Sequence, residues 1–79
     1  MKHWLVIGRI IGDDEDTCIQ YYEPTVQAAC VAYRAEMYEM EKLSDEEIDR
    51  LEANGEGVAI NHVFECPGYL KEVMPSIPA

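Results

Sequence analysis

The chain has 79 residues, 48% of them hydrophobic, and a formal net charge of −10 from sixteen acids against six Lys and Arg. That length makes one domain, residues 1–79, with a modest core, and the hydrophobic content excludes a disordered acidic tail. The charge opposes direct contact with nucleic-acid phosphates or an anionic membrane surface.

The longest apolar run, Trp4-Leu5-Val6-Ile7, is far below the roughly 20 residues that span a bilayer. The N-terminus lacks the apolar length and small-residue cleavage site of a signal peptide, so a cytoplasmic location is expected. Cys18, Cys30 and Cys66 follow no CxxC spacing, and an odd number cannot all pair within one chain. In a reducing compartment they read as buried or idle thiols.

Lys2 to Ile11 reads as a strand. Trp4, Val6 and Ile10 point one way and Leu5, Ile7 and Ile11 the other, so both faces carry apolar groups, as expected of a central strand. Gly8 marks a bulge or a close backbone approach. Gly12-Asp13-Asp14-Glu15-Asp16 is an acidic turn, and Thr17 to Glu23 resumes the alternation, with Ile19 and Tyr21 on one side and Cys18, Gln20 and Tyr22 on the other. These two strands form a hairpin.

Thr25 after Pro24 is an N-cap for a helix in which Val26, Ala29, Cys30, Tyr33, Met37 and Met40 recur at helical steps and share a face. Ser44-Asp45-Glu46-Glu47 is a capping box opening a second helix to about Ala53, anchored by Ile48 and Leu51 and closed by Asn54-Gly55. Val58 to Cys66 is a third strand, with Val58, Ile60, His62, Phe64 and Cys66 on one side and Ala59, Asn61, Val63 and Glu65 on the other. Pro67-Gly68 stops it. A tail carrying Leu70, Val73 and Met74 follows, expected to fray from about residue 70.

The fold expected from this order is α+β: a three-stranded antiparallel sheet in a ββαβ plan, strand order two-one-three, with the helical segment on one face. The apolar groups of strand one on the other face predict a homodimer, with Ile7, Ile10, Val63 and Cys66 at its interface. Cys66 is the thiol expected to bridge a twofold axis.

Catalytic apparatus is not recognisable. The acid run has the wrong residues, Cys18 and Ile19, where a calcium loop needs a ligand and a glycine. His62 and Cys66, about 13 Å apart on a strand, are too distant for one zinc or for a thiol–imidazole pair. No metal and no cofactor are expected, and the chain reads as a binding protein rather than an enzyme.

Between Glu36 and Glu56 there are nine acids against only Lys42 and Arg50. Helical neighbours stand about 5–6 Å apart, comparable to phosphate spacing along a nucleic-acid strand, so such a ridge suits a basic groove built for nucleic acid. Tyr22 and Tyr38 are the aromatics expected at the surface. Lys2, Arg9 and Arg34 are candidates for a separate positive patch.

In size, charge and layout, with the acidic turn, the acidic helical ridge and the ββαβ plan, the chain resembles small phage-encoded inhibitors, particularly anti-CRISPR proteins acting on type I surveillance complexes. The resemblance covers the whole chain in general character and rests on no diagnostic motif. It implies a protein partner such as a Cas subunit, blocked DNA recruitment, a host-cell cytoplasmic location and often a dimer. The residues expected to touch that partner are Asp13, Asp14, Glu15, Asp16, Glu36, Glu39, Asp45, Glu46 and Asp49. The alternative is a small assembly module that dimerises through its sheet face.

Overall fold

A computed structural model describes residues 1–66; the expected tail and its Leu70, Val73 and Met74 lie outside the described residues. The element order is β1 (Lys2–Ile10), β2 (Thr17–Glu23), α1 (Val26–Met40), α2 (Asp45–Ala53) and β3 (Val58–Cys66). The sheet is antiparallel with β1 central, in the order β2-β1-β3. This is the α+β plan expected from the alternation of apolar residues. Ile11 is a correction: it lies past the end of β1, 47% exposed, with its N–H on the Gly57 carbonyl.

The β1–β2 register pairs Val6 with Ile19 and Trp4 with Tyr21. Because directly opposite residues share a face, these four lie on the side packed by the helices. Val6 is fully buried and Ile10 nearly so, and Trp4, Ile19 and Tyr21 pack around them. From α1 come Ala29, Tyr33, Met37 and Tyr38. Tyr33 is fully buried and its hydroxyl donates to the Thr17 carbonyl at 2.7 Å, which satisfies its one polar group.

On the other side of β1 the register breaks. Ile7 pairs with His62 but Gly8 pairs with Ile60, leaving Asn61 as the extra residue of a β-bulge. The cause is Gly8: a Cβ there would run into the Ala59 carbonyl and the Ile60 backbone. Without a side chain, the two backbones close together and β3 must take up one residue.

The bulge corrects the strict alternation expected for β3. Val58, Ile60 and Val63 all pack towards the helices. His62, Phe64 and Cys66, opposite Ile7, Leu5 and His3, face away from them.

Both helix starts follow from their caps. The Thr25 hydroxyl accepts the Ala28 N–H at 3.1 Å. The Ser44 hydroxyl accepts the Glu47 N–H while the Glu47 carboxylate accepts the Ser44 N–H at 3.1 Å, closing two orphan donors reciprocally. The face of α1 differs from expectation at three residues. Met40 is 54% exposed and Cys30 half-buried, while Tyr38, expected at the surface, is 5% exposed. Tyr38 is drawn inward because its hydroxyl accepts the Val58 N–H at 3.0 Å and contacts the Glu52 carboxylate at 3.2 Å, linking α1, β3 and α2. Met40 falls on the opposite flank of the helix, at the β2 side.

Candidate functional site

The hairpin turn is shaped by Gly12, whose φ of 104° suits glycine, and by the Asp13 N–H on the Ile10 carbonyl. Asp13, Asp14, Glu15 and Asp16 are all exposed, but they are not equivalent. Arg9 donates through Nε to Asp16 at 2.6 Å and through Nη1 to the Asp13 carbonyl at 2.8 Å. Asn61, the bulge residue, donates to the same Asp16 oxygen at 3.1 Å. The Arg9 hydrogen bond holds the Asp16 carboxyl below its ordinary range. Asp16 therefore closes the hairpin base. Asp13, Asp14 and Glu15 have no side-chain hydrogen bond or ion pair among the described residues.

The nine acids of the helical segment divide the same way. Three serve the fold. Glu36 accepts the Tyr21 hydroxyl at 2.9 Å, Glu47 closes the capping box, and Glu52 meets Tyr38 and, at 3.8 Å, Arg34. The Ser44 N–H lowers the Glu47 carboxyl below its usual range. Glu39, Glu41, Asp45, Glu46, Asp49 and Glu56 are exposed and make no side-chain hydrogen bond or ion pair among the described residues.

Three of the cations are paired one by one. Lys2 pairs with Glu65 at 3.3 Å, Arg9 with Asp16, and Arg34 with Glu52 while donating to the Val58 carbonyl at 3.1 Å. The separate positive patch expected from Lys2, Arg9 and Arg34 is therefore corrected. Each is paired where it stands, which leaves Lys42 and Arg50 as the cations set among the nine acids of the helical segment.

Where α1 lies beside β2, a shallow cleft of about 610 Å³ is lined by Tyr21, Glu23, Ala32, Ala35, Glu36, Glu39, Met40 and Lys42. Glu36 and Glu39 belong to the expected set. The rest of the cleft was not foreseen, although Ala32, Ala35 and the four-residue step from Glu36 to Met40 already place small and apolar side chains on one flank of the helix.

No protein-family model, curated protein or solved structure matches the chain.

The four residues expected to form a dimer face are not on one surface. Ile7 and Cys66 face away from the helices, whereas Ile10 is 7% exposed in the core and Val63 packs against that core on the helix side. The bulge at Asn61 moves Val63 across. On the face away from the helices, Phe64 is 50% and Tyr22 56% exposed. The Tyr22 ring lies 4.7 Å from His3, and Phe64 stacks on His62 at 5.8 Å.

Cys66 is only 8% exposed. Burial pushes the Cys66 and Cys18 thiols up from their ordinary values, which keeps both protonated and poorly reactive near neutral pH. Among the described residues no three His, Cys, Asp or Glu side chains cluster as metal ligands. No helix among them is long and apolar enough to cross a membrane.

Proposed function

We propose that the protein is an inhibitory binding module that occupies a basic, nucleic-acid-binding surface of a partner protein. The observation that carries this reading is the unequal use of its charges. Lys2, Arg9 and Arg34 are tied to carboxylates, while six acids of the helical segment stand exposed without a partner side chain among the described residues. Like charges held this close cost folding free energy through mutual repulsion. A basic groove relieves that cost and gains counterion release of its own. The resemblance to anti-CRISPR proteins points to a Cas subunit of a type I surveillance complex as the partner, with DNA recruitment as the step blocked.

Competition supplies the test. The complex is loaded with labelled target DNA and titrated with the protein at rising salt. DNA displacement that weakens steeply with salt supports the reading; binding that leaves the DNA in place removes it.

A second reading, a module that self-associates through its sheet, is favoured by the exposure of Phe64 and Tyr22 on one face. It predicts a dimer by light scattering that Phe64→Ser disrupts and that added salt strengthens rather than weakens.

A further inference from the structure

The flank where α1 stands beside β2 combines two features. Its lining is mixed, with Tyr21, Ala32, Ala35 and Met40 supplying the apolar part, and Met40 is 54% exposed. Its charge is negative: Glu23, Glu36 and Glu39 stand against Lys42 alone. We infer that this cleft is a docking site for an arginine-bearing extended segment of a protein partner.

The match is one of shape and charge together. An arginine side chain has an apolar stem that covers methyl and thioether groups and a planar head that forks onto carboxylates. Glu36 is prepared for such a head. Its Oε1 is held by the Tyr21 hydroxyl at 2.9 Å, which fixes the side chain and leaves Oε2 to accept. Tyr21 belongs to the same lining and is an aromatic residue, a group with which a guanidinium interacts favourably. A lysine ammonium meets the same charge but has no plane to stack and no fork. Nucleic acid and anionic lipid are repelled by the three carboxylates.

This assignment rests on the reading of the protein as a binder of basic partners, and adds to its unoccupied acids a shaped contact at Glu36 and Glu39. The exposed Met40, a flexible apolar group that adapts to varied neighbours, is otherwise unexplained.

The probe is an acetylated, amidated pentapeptide of alternating leucine and arginine, titrated into isotopically labelled protein and followed by amide chemical shifts. The expected result is saturable shifts centred on Ala32, Ala35, Glu36, Glu39 and Met40. Binding weakens about tenfold in the double variant Glu36→Gln/Glu39→Gln and measurably in Met40→Ser, which alters the lining without touching charge. The glutamine at position 36 can still accept from Tyr21, so the fold is kept. The pair Asp45→Asn/Asp49→Asn changes binding by no more than about twofold, a residual effect of screened long-range charge.

Equal loss from the two double variants, or shifts spread along α2, overturns the cleft while leaving the acidic-surface reading standing. Absence of saturable shifts, or equal binding of a citrulline peptide, overturns it outright. Equal binding of the lysine peptide overturns the choice of arginine. If the cleft binds the peptide as expected but DNA competition with the partner complex fails, the cleft stands and the inhibitory reading falls.

Discussion

The Tyr21 hydroxyl on β2 donates to Oε1 of Glu36 on α1 across 2.9 Å, so an acid of the charged segment is also a tie between the sheet and the helix layer. Removing the hydroxyl in Tyr21→Phe removes one hydrogen bond to a charged acceptor. The loss expected is about 1–2 kcal/mol, measured by urea denaturation, with the midpoint shifted and the slope unchanged.

Two tyrosines set the alkaline limit. Burial, reinforced by Glu36, raises the Tyr21 phenol well above its ordinary value, and burial pushes Tyr33 up to about 12. Their folded values lie above their unfolded values, so the unfolded chain releases these protons first. Stability from the neutral phenols is complete below about pH 10 and falls as pH rises beyond it. Phenolate absorbance and loss of circular dichroism are expected to rise together in alkaline titration.

Gly8→Ala tests the bulge. Its new methyl meets backbone, not a yielding side chain, so either the β1–β3 ladder opens or the register slips. The cost expected is at least about 2 kcal/mol. Gly12→Ala meets nothing within 4 Å and costs about 1 kcal/mol from its φ of 104° alone. Equal costs at the two positions contradict the account of the register shift.

Much of this architecture is legible in the residues. The alternation in β1 and β2, the Thr25 cap and the Ser44–Glu47 box act locally, and each sits where its pattern places it. Gly8 signals a close approach, but the chain does not reveal that the compensating residue is Asn61, on a strand more than fifty positions away. That single bulge moves Val63 to the core side; with Ile10 beside Val6 in the core, the expected surface of Ile7, Ile10, Val63 and Cys66 comes apart. Tyr38 and Met40 are misread for a related reason. A helix period tells which residues share a stripe, but not how far the sheet beneath extends on either side. The acids are visible as a group; which of them are occupied depends on Arg9, Arg34 and Tyr21, and those pairings are tertiary.

Ser44→Ala removes the hydroxyl half of the capping box, keeps the backbone N–H to Glu47, and is expected to cost about 1 kcal/mol, read as a lowered melting temperature. Glu47 and Asp16 also predict the acid side of the profile. Their folded carboxyl values lie below their unfolded ones. The stability they contribute is therefore present above about pH 4 and lost as pH falls through the folded values. Ser44→Ala keeps the backbone N–H that chiefly lowers the Glu47 carboxyl, so it flattens only the smaller share of that acid loss due to the hydroxyl and leaves the Asp16 part.

The division of the acids into occupied and unoccupied groups tells which charges to reverse. Asp16 is unsuitable because Arg9 and Asn61 depend on it. Asp14→Lys, Glu39→Lys and Asp49→Lys touch no such partner. The triple variant is expected to melt at or slightly above the wild-type temperature, because relief of repulsion outweighs anything lost.

The most direct measurement of the central claim is displacement of target DNA from a type I surveillance complex by this triple variant and by wild type, at matched concentration and two salt concentrations. The account predicts displacement by the wild type that weakens with salt, and little or none by the folded variant. Equal displacement by both proteins, insensitive to salt, would contradict the claim that the unoccupied carboxylates make the contact.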